Sequence, residues 1–568
     1  MRILTRPLGL LLVLLSLPAV AHERRPQVWV ESPMVKVRPE TPPRVQRSLQ
    51  LVAARNEFVS FQVVLHGGET GLRSVSACLP RLQGARARIP ESNVTLYREE
   101  FLDITRPSTQ DSEPGRWPDG LVPDVDESVG EKRAAFPFEV PTGEARALWV
   151  DILVPRDTPP GSYHGVVQVK GTGFRVQLKV KLTVVDAVLP DTPSLRTAFL
   201  VWAPHVCRAF TGDPLCPVDT QVPLLQRFHR LALDHRITLA TGVPREPGQP
   251  TWDLPDYDTF ASRWGPFLEG SADTRLPGAR MTSLQYLGPG TAEALAEFEA
   301  QARARGWLSR SFDYVGDEPP YGTTWEAVRA RASLTRQAAP DLRTLLTTNI
   351  TELERHELLE LIDILVVLVN HIDGTEPPYE GDQRPKYDDF LTRPHRELWL
   401  YQSCASHGCS PDEPPPPENQ PGQGWPSYMV DRPATKARGM QWVDFIEGAS
   451  GELYYQTVGL LSTAWTTQFR FNGNGDGTLF YPGLPSIIGG STPVLVPSIR
   501  IKLIRLGVQD YEWLKMVRDA GDPDFAREVA RELIPAAWKV PDDGTALERA
   551  RLRLIRRYLE LREHPPSR

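Results

Sequence analysis

The stretch Ser311-Phe312-Asp313-Tyr314-Val315-Gly316-Asp317-Glu318-Pro319-Pro320 reads as a short apolar strand that ends on two adjacent carboxylates and a proline stop. Taken alone, an Asp-Glu pair beside a turn is a solvated loop or a helix N-terminal charge pair. Its meaning depends on what the surrounding chain builds. From Leu189-Pro190-Asp191-Thr192-Pro193 onward, strand patterns alternate with amphipathic helical ones. Eight candidate strands lie near 196–203, 237–242, 283–288, 311–316, 343–348, 364–370, 397–403 and 452–457. Helical patterns separate most of them, including Gln221 to Asp234, Ala292 to Arg305, Trp325 to Ala338 and Thr435 to Ile446. Eight such units predict a (β/α)8 TIM barrel rather than an open doubly wound sheet, for which no glycine-rich phosphate loop is present. Barrel enzymes place their chemistry at the C-terminal ends of the strands, which is where Asp317 and Glu318 fall.

Other strand ends supply companions for these acids. Trp202 and His205 follow the first strand, and Asn370, His371 and Asp373 follow the sixth. Tyr401 and Gln402 end the seventh, Tyr454 and Tyr455 sit in the eighth, and Trp465 is nearby in sequence. Aromatic rings with a few amides and hydroxyls at a barrel mouth suit a sugar, whose apolar face stacks while its hydroxyls need directed partners. Substrate contacts are therefore expected from Trp202, His205, Asn370, His371, Tyr401, Tyr454 and Trp465. The run Asn472-Gly473-Asn474-Gly475-Asp476-Gly477 is too short for a calcium loop and reads as a glycine-rich turn. Spacing gives no metal site, and no cofactor is implied.

Before the barrel, residues from about Gln27 to Val185 hold many short alternating apolar runs, such as Phe58 to Leu65, Ala147 to Val154 and Gly165 to Val169. These predict a β-sandwich, which either binds ligand or packs on its neighbour. Ile499 to Ala520 and Phe525 to Leu561 read as C-terminal helices packed on the barrel. The expected organisation is multidomain, β plus α/β: a signal peptide over 1–21, an N-terminal β-sandwich domain over 22–190, and a (β/α)8 catalytic domain with C-terminal helices over 191–568. The signal peptide rests on Arg2 and Arg6, the apolar run from Leu8 to Val20, and Ala19-Val20-Ala21 for cleavage after Ala21. A periplasmic or secreted protein is expected. An oxidising compartment permits bridges, and either Cys207 with Cys216 or Cys404 with Cys409 could staple a loop.

The 568 residues have ordinary soluble composition and a formal charge of only −7. Acids and bases are mixed along the chain, giving no footprint for nucleic acid or an anionic membrane, and no transmembrane segment is expected after the leader is removed. A glycan or glycoconjugate fits better.

Several stretches together carry a resemblance: Ala53 to Gln62, Trp117-Pro118-Asp119, the Leu153-Val154-Pro155 to Gly161-Ser162-Tyr163 hairpin, Gly316-Asp317-Glu318-Pro319, Gly477 to Gly483, and Pro497-Ser498-Ile499-Arg500 through Gln509-Asp510-Tyr511-Glu512. This pattern resembles glycoside hydrolase family 123. The resemblance implies a β-sandwich joined to a catalytic barrel, β-N-acetylgalactosaminidase activity, and a mechanism in which the substrate's own 2-acetamido oxygen is the nucleophile. Glu318 would then be general acid and base, Asp317 would orient the acetamido group, and Tyr401 or Tyr454 would bond to its oxygen. A glycosidase of the same fold acting on another sugar, and a non-catalytic glycan-binding envelope protein, are the competing readings. The Pro- and Glu-rich insertion from Ser410 to Gln423 is expected to form a variable loop near the site.

Overall fold

The computed structural model describes residues 26–240, 257–404, 409 and 424–564. The expected leader and the 410–423 insertion lie outside the described residues.

The N-terminal part folds into two sheets around one core. One sheet runs in the order Gln27–Glu31, Glu57–His66, Ala145–Val154, Val94–Ile104, Gly115–Pro123. The other is built on Ser48–Arg55, Phe174–Val188, Gly161–Gly171, Leu72–Cys78 and Phe138–Val140. Phe61, Val63, Leu148 and Val150 of the first meet Val167, Leu178, Val180 and Leu182 of the second in a single buried cluster. The two sheets differ in pattern for a physical reason. Phe174–Val188 alternates exposed and buried positions because its outer face meets water. Glu57–His66 and Ala145–Val154 are buried nearly throughout because their outer face is covered by the C-terminal helix Ile499–Asp519.

That contact is polar and wholly buried. Asp151 receives Nζ of Lys502 and a guanidinium nitrogen of Arg505, each at 2.8 Å. Asp119 pairs with Arg500 at 2.7 Å, and the Gln509 side chain bonds both backbone groups of Phe58. The helix is thus more than the barrel-packing element its sequence suggested; it lies between the barrel and the first sheet.

The second part is a parallel sheet in the order Arg196–Phe199, Gly451–Tyr454, Glu397–Tyr401, Ile364–Leu368, Arg343–Thr347, Ser311–Gly316, Leu284–Tyr286. Among the described residues it is a nearly closed barrel of seven strands, where eight were expected. Of the segment expected near 237–242, the described residues 237–240 form a single bridge, Phe199 to Leu239. Beyond that bridge threonine hydroxyls replace backbone pairing. Thr238 Oγ1 accepts from the Thr282 N–H at 2.7 Å, Thr282 Oγ1 accepts from Thr197 N–H at 3.0 Å, and Thr197 Oγ1 accepts from Thr238 N–H at 2.7 Å. Inside the barrel Ala198, Phe312, Leu345, Ile364, Val366, Trp399 and Leu453 fill the lumen. The expected helices form outside it, at Val218–Asp234, Ala292–Ala304, Trp325–Ala338 and Ala434–Ile446.

Candidate active site

Side chains alternate along a strand, so two adjacent residues such as Asp317 and Glu318 would ordinarily face opposite ways. Two local irregularities bring them together. Phe312 and Tyr314 point into the barrel, whereas Asp313 points out to Arg331 and Thr335 of the helix Trp325–Ala338. The register with the neighbouring strand then slips between Tyr314 and Gly316. This bulge turns Val315 and Gly316 both outward and moves Asp317 onto the inner side. Gly316 is there because a Cβ would meet Val328 Cγ2 at 2.5 Å and Thr323 Cγ2 at 2.8 Å. Glu318 next adopts φ of +38°, a conformation that costs a non-glycine residue energy and that swings its carboxylate back toward the mouth. A tight turn follows, with the N–H groups of Tyr321 and Gly322 donating to the Glu318 carbonyl.

Both carboxylates are exposed and each is held by a tyrosine, half-buried at Tyr314 and buried at Tyr401. Tyr314 donates its hydroxyl to Asp317 Oδ1 at 2.7 Å, and Thr347 Oγ1 donates to the same oxygen at 3.2 Å. Thr347 Oγ1 also accepts the Glu318 N–H at 2.8 Å, so one hydroxyl at the end of Arg343–Thr347 fixes both acids. Tyr401 donates to Glu318 Oε1 at 2.6 Å. Burial, then the charge of the facing carboxylate, pushes both tyrosine hydroxyls well above the usual phenol range. They are permanent donors. Each exposed acid therefore has one oxygen tied, and among the described residues its other oxygen carries no hydrogen bond.

The remaining candidate residues divide by strand parity. Tyr401 lies on the inward set with Trp399 and Leu453, and Tyr455 follows the end of the last strand. Tyr454 lies on the other set: it is fully buried against Phe199 and Tyr428, its hydroxyl donates to Asp476 at 3.1 Å, and it accepts the Gly477 N–H. Tyr454 is accordingly a supporting residue, not a substrate contact. Trp465 is also corrected. Its ring packs on Tyr481 at 4.4 Å, its indole N–H donates to Pro482 O, and a Cβ on Gly120 would strike it at 2.7 Å. It belongs to the junction with the N-terminal sheets.

His371 stacks on Tyr379 with centroids 3.9 Å apart, and burial lowers its pKa to about 4, leaving it neutral. Asn349 Nδ2 donates to the Tyr379 hydroxyl at 3.0 Å. Asn370 is half-buried in the short helix Val369–Ile372 beside His371. Trp202, 56% exposed, caps the helix Ala203–Thr211 with His205 beside it, ring centroids 6.1 Å apart. Burial, then Arg470 and Arg208, lower the His205 pKa. Sequence reasoning missed Tyr314, Thr347, Asn349 and Tyr379. The first two could have been found by extending period-two parity along the strands. The last two sit in loops and carry no such signal. Asp476, read as part of a turn, is a buried acid whose oxygens accept from Cys404 N–H and Tyr454, with burial raising its pKa to about 6.

A barrel mouth with a paired Asp-Glu is joined through a buried interface to two packed sheets. Residues 32–171 match the family model of the glycoside hydrolase 123 N-terminal domain, which bears out the resemblance to family 123 read from the sequence. The fold is similar to that of a family 123 glycoside hydrolase from Clostridium perfringens, described as hydrolysing glycolipid glycans, with TM-score 0.66, 12% identity, and coverage of 94% of this chain and 98% of that one. The domain match and the shared fold together support a glycosidase. A β-glucuronidase from Parabacteroides merdae also matches, at 9% identity, TM-score 0.23, and 71% and 45% coverage, too distant to bear on the fold. No curated protein sequence matches the chain.

Proposed function

We propose that the protein is an exo-acting β-N-acetylgalactosaminidase that retains configuration by substrate-assisted catalysis. The observation that carries this reading is the anchoring of two sequence-adjacent, exposed carboxylates, each with one oxygen tied to its own tyrosine. Retaining enzymes with an enzymic nucleophile place two carboxyls about 5 Å apart across the bond, whereas adjacent acids on one loop suit a reaction whose nucleophile is the substrate. Asp476, the buried acid beyond the last barrel strand, has both oxygens engaged and is not offered as a nucleophile.

The acetamido carbonyl oxygen attacks C1 as Glu318 protonates the glycosidic oxygen and the aglycone departs. Asp317 accepts the acetamido N–H, aligning the attacking oxygen and stabilising the oxazolinium charge. Glu318, now ionised, takes a proton from water as that water opens the ring at C1. Tyr401, whose hydroxyl is spent on Glu318, supports the acid and is not the acetamide's partner. Export to a periplasm or the medium belongs to the same proposal, supported by the leader-like N-terminus and by the pairing of Cys207 with Cys216 and Cys404 with Cys409.

The test is hydrolysis of the 4-nitrophenyl β-glycosides of N-acetylgalactosamine and galactose by the wild type, Asp317→Asn and Glu318→Gln. The expected result is cleavage of the acetamido sugar alone, abolished by Asp317→Asn. Glu318→Gln should lose roughly 10²- to 10⁴-fold on poor leaving groups and less on nitrophenol. Equal cleavage of both sugars would overturn the substrate-assisted mechanism, and cleavage of neither would overturn the substrate.

A further inference from the structure

Beyond the last barrel strand a small hairpin lies against Tyr455, with the ring centroids of Phe471 and Tyr455 6.1 Å apart. Phe469–Arg470 pairs with Gly473–Asn474, leaving a two-residue tip of Phe471 and Asn472. Both tip residues have positive φ, +48° and +64°. Two-residue hairpin tips of this kind select Asn and Gly, and a phenylalanine there is strained. The strained Phe471 ring is nevertheless 55% exposed, so burial does not account for its presence. The hairpin is tied to the catalytic strand's end: a Cβ on Gly473 would touch Cys404 Sγ at 2.6 Å, three residues beyond Tyr401.

Arg470 adds a second anomaly. Its guanidinium lies 4.6 Å from the Phe471 ring centroid and 5.8 Å from that of Tyr455, the residue that follows the last strand. Among the described residues it makes no ion pair and no hydrogen bond. Space has been cleared for it, since a Cβ on Gly459, which is not in a left-handed conformation, would lie 2.2 Å from Nη1. Asp476 is within electrostatic reach, but its oxygens are committed to Cys404 and Tyr454. On the other side stand His205, Arg208 and the exposed Trp202, with no carboxylate among them.

We infer that Arg470 and Phe471 form a second sugar subsite at the barrel mouth, Phe471 stacking on the sugar face and Arg470 binding a carboxylate or sulfate on the leaving-group saccharide. A cation held on aromatic faces, with no ion pair or hydrogen bond among the described residues, is arranged for a planar or tetrahedral anion, and a strained exposed aromatic is arranged for stacking. This rests on the glycosidase reading above and adds to it the class of aglycone.

The probes are three disaccharides in which β-N-acetylgalactosamine is linked to glucose, to glucuronate and to glucose 6-sulfate. Wild-type kcat/KM should favour at least one anionic aglycone about tenfold or more over glucose, as a charge-assisted hydrogen bond gives. Which anion gains shows whether a carboxylate or a sulfate is the ligand. Arg470→Gln should bring the anionic-to-neutral ratio to about one, with Arg470→Lys between. Phe471→Asn, better suited to the turn, should keep or raise Tm while raising KM for all three. Calorimetric binding of the same disaccharides to Glu318→Gln, with and without Arg470→Gln, reads the subsite even if no substrate is cleaved. An anionic preference that survives Arg470→Gln, its absence in the wild type, or a Phe471→Asn protein with lower Tm and unchanged KM would overturn the inference.

Discussion

At the scale of single residues, the chemistry turns on which oxygen of each acid is free. Tyr401 spends its only proton on Glu318 Oε1, so the second oxygen is the one aimed at substrate. Tyr401→Phe should lower kcat by about 10- to 100-fold, the worth of a hydrogen bond to a charged group, with little change in Tm. Steady-state kinetics alongside thermal melts checks this; an equal loss in Tm and activity would make Tyr401 merely a packing residue. The same hydroxyl is held above the usual phenol range by burial and by Glu318, so it stays protonated through the alkaline limb of any pH profile. His371, with pKa lowered to about 4 by burial, contributes no step near neutrality either.

At the scale of elements, the strand Ser311–Gly316 shows what a sequence discloses and what it withholds. Its existence, its end at Gly316 and the position of Asp317 and Glu318 just beyond it were legible, because apolar alternation and a proline stop are local signals. The bulge was not. It arises from the register against Arg343–Thr347 and from the helix behind, which no local pattern encodes. The same blindness to register explains the choice of Tyr454: one position of parity separates it from Tyr455, and only the pairing of Phe199 with Tyr454 reveals which tyrosine faces outward. The strand expected near 237–242 failed for a different reason. Its residues have strand-like composition, but over the described residues 237–240 threonine hydroxyls take over the pairing, and one bridge is formed. Gly316→Ala tests the bulge directly. With its Cβ 2.5 Å from Val328, it should cost about 1–3 kcal/mol by overpacking and lower kcat further than Tm loss explains, because Asp317 must shift. Urea unfolding and kinetics on the folded variant separate the two effects.

At the scale of the whole molecule, buried charges join the two parts. Asp151 sits between Lys502 and Arg505; burial alone would raise its pKa, but the two cations hold it far below the carboxylate range. Asp151→Ala leaves both cations buried without their partner and should cost about 3–5 kcal/mol, read as a shift in the urea midpoint. Glu127 adds a pH dependence. Burial would raise it, yet Lys502 and Arg275 bring it from 4.5 to about 2. Its folded pKa is depressed, so its stabilisation is complete above the unfolded value and disappears as pH falls from about 5 toward 2. Thermal melts across that range should show Tm falling in the wild type and falling less steeply in Glu127→Gln.

The helix Ile499–Asp519 has a consequence for descent. A part that meets its neighbour through apolar area can be exchanged among distant lineages, since any greasy surface will do. Here Arg500, Lys502 and Arg505 must each find an acid at one particular place across the boundary. Sheets that lacked Asp119 and Asp151 would leave these cations buried without anions, so the two halves are not interchangeable with parts that meet through apolar area alone.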